Sequence, residues 1–115
     1  MPIPEYKMGN MVLFCNSNKL WIIRKTSYNP HVTADGYIFG YSLLNCNDGD
    51  DSFAWAYEED LTFVADGNCM IITWLEELSD WTRVIYAGGK NIRQEIEGLQ
   101  ENIKEEIVSQ LQKQR

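Results

Sequence analysis

The sequence predicts an α+β fold: a small barrel of five short strands over residues 1–65, followed by two C-terminal helices. Three observations carry this. Short β-branched and aromatic runs closed by turn residues fill the chain as far as Val64, apolar residues take up helical spacing from Ile71, and one apolar stripe with charges around it starts at Ile92. At 115 residues and 44% apolar, with four Trp, six Tyr and four Phe, the chain suffices for one packed core.

Met11 to Cys15, MVLFC, is an apolar run closed by Asn-Ser-Asn, and LWIIRKTSY follows at once, so the two read as a tight hairpin. Ser27 to Gly36 contains Pro30 and several loop formers and reads as an irregular surface connection. Tyr37 to Cys46, YIFGYSLLNC, is strand-like throughout, with Gly40 marking a bulge or bend. NDGDDS is a turn, F-A-W-A-Y at Phe53 to Tyr57 alternates as a fourth strand, and Leu61 to Val64 makes a short fifth. Glu58, Glu59 and Asp60 then fall in a turn between two very short strands, where water solvates them. Replacing Glu58 and Glu59 together by Gln is expected to change stability by no more than about 1 kcal/mol, whereas Leu61 points inward.

Ile71, Trp74, Leu75, Leu78, Trp81 and Ile85 recur at helical spacing, which predicts a helix from about Asn68 to Tyr86, broken at Gly88 and Gly89. Asn91 and Gln94 resemble a capping box, and Ile92, Ile96, Leu99, Ile103, Ile107 and Leu111 form one stripe. A helix of that length spans roughly 36 Å, more than the roughly 25 Å of a small barrel. The stripe is therefore expected to serve as an oligomer or docking interface, with Glu106 standing where an apolar residue would continue the seam. The expected organisation is a barrel at 1–65, a helical extension packed on it at 66–89, and an amphipathic helix at 90–115.

The opening Y-x-x-G-N-x-V at Tyr6 to Val12 and the closing E-E-D-L-x-x-V at Glu58 to Val64 resemble those of small SH3-like β-barrels. The resemblance covers residues 5–65 and is nearest to the tudor-like and bacterial or phage accessory types. It implies a short helical turn at the acidic step with Leu61 in the core. No A-L-Y-D-Y lies near the start, so recognition of proline-rich peptides is not implied, and this fold family has no common chemistry.

The net charge of −7 is uneven: four basic against eight acidic residues up to Ala65, one against four from Asp66 to Gly89, and five against five from Lys90 onward. An acidic body disfavours direct nucleic-acid binding and favours a basic protein partner. No run is long and apolar enough for a membrane span, and MPIPEYKMGN lacks the features of a secretory signal, so a cytoplasmic location is expected. Cys15, Cys46 and Cys69 are odd in number and widely spaced, which fits reduced thiols.

Each candidate site of chemistry fails on its pattern. An EF-hand register starting at Asp48 offers Asp50, Ser52 and Glu59 as ligands but places Phe53 where glycine is needed. His31 with the three cysteines has zinc chemistry but no close ligand pair. Cys15 and Cys46 fall in apolar strands, where thiols are inert, which leaves Cys69 near a helix start as the one plausible reactive thiol. There is no phosphate-cradling glycine loop, G-x-S-x-G or H-E-x-x-H. No catalytic residue, metal or cofactor is expected, and the protein is not expected to be an enzyme. Trp21, Tyr28, Tyr37, Trp55 and Tyr57 come from segments that neighbour one another in such a barrel, and aromatic surfaces with an acidic rim hold cations. The expectation is a non-catalytic interaction module with those aromatics as its partner site and the C-terminal helix oligomerising or docking. The alternative is an acidic bacterial or phage accessory inhibitor or adaptor that occupies the basic nucleic-acid site of a partner.

Overall fold

The computed structural model describes residues 4–15, 18–26, 31–33, 36–50, 56–84 and 92–113. Among these described residues, seven strands, one 3-10 turn and two helices follow in chain order. They are β1 (Asn10–Phe14), β2 (Leu20–Thr26), β3 (His31–Thr33), β4 (Gly36–Ile38), β5 (Gly40–Asn45), β6 (Ala56–Tyr57), the 3-10 turn Glu58–Asp60, β7 (Leu61–Asp66), α1 (Cys69–Val84) and α2 (Ile92–Lys113). The main sheet is antiparallel and five-stranded, in the order β6-β5-β2-β1-β7, and it curls into a half-barrel with β6 and β7 at its edges.

The central strands β1, β2 and β5 are buried on both faces over most of their length, which explains why they read as continuous apolar runs, whereas edge strand β7 exposes Thr62 and Phe63. In antiparallel register Met11 faces Ile22 and Val12 faces Trp21, and β2 continues the pairing with Ile22 to Leu44 and Ile23 to Leu43. Successive side chains alternate between faces. Met11, Ile22, Leu44, Cys46 and Ala65 lie in one core with Ile71, Ile72, Leu75 and Leu78 of α1 and Ile103 of α2. Val12, Trp21, Ile23, Leu43 and Leu61 lie in the other, inside the curl, with Tyr6, Phe39, Tyr41 and Ala56. Register shifts between Met11 and Val12 against β7, and between Ile23 and Lys25 against β5, bend the strands as the curl requires.

The structure corrects the reading of residues 27–46. His31–Thr33 is a strand, and it pairs with Gly36–Ile38 in a separate two-stranded hairpin, Val32 opposite Tyr37. The long third strand breaks at Phe39, whose ring turns into the inner core. Of the expected fourth strand only Ala56–Tyr57 is described, since 51–55 lie outside the described residues. β7 runs two residues further than expected, to Asp66.

α1 starts at Cys69 because Asn68 caps it: the Asn68 Oδ1 accepts the Met70 N–H at 2.8 Å. Thus MIITW, which alone would suit a strand, is helical. Two glycines set how closely the elements pack. Gly49, at φ +75°, closes the turn after β5 against α1, where an added Cβ would lie 2.4 Å from the Leu75 carbonyl oxygen. Gly67 donates its N–H to the Gly9 carbonyl at 2.8 Å, and an added Cβ there would lie 2.5 Å from that same oxygen. By contrast, Gly98 in α2 has open space where a Cβ would stand.

Opposite stability changes follow. Gly98→Ala should stabilise by roughly 0.5–1 kcal/mol, because alanine removes the helix-interior penalty of glycine. Gly49→Ala and Gly67→Ala should each destabilise by more than about 1 kcal/mol, through a strained φ in the first and a backbone clash in both. Thermal denaturation followed by circular dichroism checks this, and a rise in Tm for either of the last two contradicts the packing described.

Candidate functional site

The acidic step Glu58–Asp60 forms the 3-10 turn, and Leu61 enters the inner core at 6% exposure. Glu58 is not left to water, which corrects the expectation for this turn. Its Oε1 accepts the hydroxyl of Tyr41 at 2.5 Å and the backbone N–H of Glu5 at 2.8 Å. Tyr41 is fully buried; its hydroxyl oxygen also accepts the Tyr6 N–H at 3.3 Å, and the two rings meet edge to face at 5.7 Å. Tyr6 in turn donates its hydroxyl to the Leu61 carbonyl at 3.2 Å. One carboxylate therefore fastens the N-terminal segment over the open end of the curl. Burial first, then the hydrogen bond to Glu58, push the Tyr41 hydroxyl well above its ordinary range. Glu58→Ala should cost roughly 1–3 kcal/mol, because it strips the acceptor from a buried hydroxyl, whereas Glu59→Ala should stay within about 0.5 kcal/mol. Equal midpoints for the two variants in urea denaturation contradict this latch.

The expected partner aromatics do not form one surface among the described residues. Trp21 is 4% exposed and belongs to the inner core, and Tyr57 is half-buried at the sheet edge. Tyr28 and Trp55 lie outside the described residues, and of Tyr37 only the backbone is described. Of the C-terminal stripe, Ile103 is 2% exposed, and Ile96, Ile107 and Leu111 pack against the same core as α1. Leu99 is half-buried, and the side chain of Ile92 lies outside the description. These contacts are made within the chain, since α1 and the outer face of the sheet leave an apolar surface that α2 covers. Glu106, out of place in an apolar seam, accepts the side-chain amides of Asn68 at 2.5 Å and Gln110 at 2.9 Å and so ties α2 to the start of α1.

Where α2 crosses the end of the sheet it leaves an open cleft of about 720 Å³. Its floor is apolar: Leu20, Cys46, Ile103 and Ile107. One wall is the exposed side of α2, with Glu97, Gln100, Glu101, Lys104 and Val108 at helical spacing. The facing wall comprises Lys19 and the turn Asn45–Asp48. That turn is held by hydrogen bonds of its own. Asn45 N–H donates to the Asp50 carbonyl, Gly49 N–H to the Asn45 carbonyl, Asn47 N–H to the Asn45 side chain and Cys46 N–H to the Leu20 carbonyl. Val108 stands 46% exposed at one end of the cleft. Ile103 and Ile107 belong to the stripe the sequence singled out, but the other residues of this site were missed because they lie beside that stripe or on distant turns. The doublet Ile107-Val108, where the stripe widens, was the available signal.

Cys15, Cys46 and Cys69 are free thiols, with Cys46 buried and Cys69 exposed as the sequence suggested, but Cys15 is not buried in a strand. Cys15 is exposed, in a left-handed turn conformation at φ 53°, its N–H donated to the Asp60 carbonyl at 2.7 Å. Cys69 is exposed at the start of α1. Cys46 is buried beneath the cleft, and burial pushes its thiol from the ordinary 9.0 up to about 12. Alkylation of the native protein should therefore label Cys15 and Cys69 and spare Cys46 until the chain unfolds, as peptide mass spectrometry would show. A proton held more tightly in the folded state stabilises it below pH 9 and loses that effect as pH rises towards 12. The Tyr41 hydroxyl acts in the same direction. Stability should thus fall above about pH 9 through Cys46, by up to about 1.4 kcal/mol per pH unit, and Tyr41 should add to the fall only above about pH 10. A flat profile in that window contradicts the burial of both groups.

No protein-family model, curated protein or solved structure matches this chain. Among the described residues no helix is long and apolar enough to cross a membrane.

Proposed function

We propose that this chain is a non-catalytic protein-interaction module, an SH3-like barrel braced by two helices, whose partner site is the cleft between α2 and the turn after β5. The observation that carries it is the cleft's construction: an aliphatic floor, charged groups confined to the rim, and one wall pre-ordered by its own hydrogen bonds. Such a groove offers apolar burial for an anchor and orienting charges around it. A wall that is already ordered lowers the conformational cost of binding. The SH3-like reading is supported by the meander order with β7 returning to β1 and by the 3-10 turn before the last strand.

The test is a photo-crosslinking amino acid at position 108, compared with the same group at Thr73, exposed on α1 and outside the cleft. The expected result is a discrete adduct at 108 whose partner, identified and purified, binds the unmodified chain. That partner should lose at least roughly tenfold in affinity, about 1.4 kcal/mol, for Val108→Lys. Equal labelling at 108 and 73, or no loss with Val108→Lys, overturns the proposal.

A further inference from the structure

The cleft is not uniform along its length, and that asymmetry identifies the chemistry of its occupant. Glu97 and Glu101 stand four residues apart on the α2 wall, with Asp48 on the facing wall. Further along α2 come Lys104 and then the apolar pair Ile107 and Val108. From Glu97 to Val108 the helix rises roughly 16 Å, about the length of five extended residues or three helical turns. Resting on the reading above, we infer that the cleft takes a short segment of another protein that is basic at one end and carries an aliphatic or aromatic anchor at the other.

Charge decides between this occupant and a second copy of the chain. The chain is −7 overall, and α2 itself carries five acidic and three basic residues between Ile92 and Lys113. A second copy would bring like charge to a rim where carboxylates outnumber ammonium groups by three to two, Asp48, Glu97 and Glu101 against Lys19 and Lys104. A basic segment meets the opposite sign both at the rim and in the wider field. Long Lys or Arg stems can also lie along the aliphatic floor while their heads reach the carboxylates. Lys104, standing between the acidic and apolar ends, repels a cation seated too far along the groove and so fixes the direction of the segment.

The experiment is fluorescence anisotropy of the full chain with a labelled twelve-residue amphipathic Lys/Leu peptide, against versions with Glu for Lys and Ser for Leu. The Lys/Leu peptide should bind, more weakly as salt rises, and both altered peptides should bind at least roughly tenfold more weakly. Glu97→Gln with Glu101→Gln should cost about tenfold, and Val108→Ser should also weaken binding. Glu59→Gln with Glu76→Gln removes the same charge from exposed positions outside the cleft; it should change affinity by less than about threefold. Equal losses from the two double variants mean that the acidic surface at large attracts the peptide, and overturn the inference. Tight binding of the Glu version, no binding of the Lys/Leu peptide, or an adduct at position 108 joining two copies of the chain overturns it as well. If the Lys/Leu peptide fails while the adduct at 108 still yields a cleft-dependent partner, the inference falls and the interaction reading stands. If both fail, both fall.

Discussion

The central strands of the sheet are buried on both faces, and the rest of the molecule follows from that constraint. A lone curled sheet of five strands can cover its inner face with its own side chains, but its outer face carries Met11, Ile22, Leu44, Cys46 and Ala65. Left to water, those side chains would forfeit roughly 1.5–3 kcal/mol for each large one. α1 is therefore a second layer of the core, and its inward residues Ile71, Ile72, Leu75 and Leu78 are the counterpart of that outer face. Because α1 is one helix wide, α2 closes the remaining strip through Ile103, with Ile96, Ile107 and Leu111 around it.

The two cores are held by different means. The outer one is aliphatic and depends on area and fit, with backbones brought close at Gly49 and Gly67. The inner one is aromatic and needs polar partners for its hydroxyl groups, which Glu58 and the Leu61 carbonyl supply. This is why one member of the acidic triplet carries structure while Glu59 is left exposed. Three adjacent carboxylates are alike in sequence, but the turn brings Glu58 to Tyr41 and leaves Glu59 exposed.

Much of the fold was legible. Alternation and turn chemistry located β1, β2, β5 and β7, and the 3.6-residue period located both helices to within a few residues. What the sequence obscured depends on long-range partners. Val32 and Tyr37 pair across a short hairpin, but the sequence around it holds Pro30 and other loop formers, so local propensity pointed to an irregular connection. Trp21 is as plausible at a binding surface as in a core until its register with Val12 places it inside the curl. Glu58 looked like surface because its partner Tyr41 is seventeen residues away. The cleft was least legible of all, since its walls come from the β2 start, the β5 turn and α2, which no local pattern relates.

α2 thus answers to two requirements at once, which explains its composition. The side that completes the core needs Ile96, Ile103, Ile107 and Leu111, and the adjoining side must stay hydrated, hence Glu97, Gln100, Glu101 and Lys104. An amphipathic helix over a flat support would show a clean boundary between the two. Here the support ends at the turn after β5, so the boundary falls over open space, and Val108 continues the apolar side past the core it was covering. About half of the Val108 side chain thus stays open at the end of a groove whose facing wall is ordered by its own hydrogen bonds. Glu106 adds to this arrangement: by receiving Asn68 it ties α2 to the start of α1, while its bond from Gln110 within α2 holds the carboxylate in place for that contact.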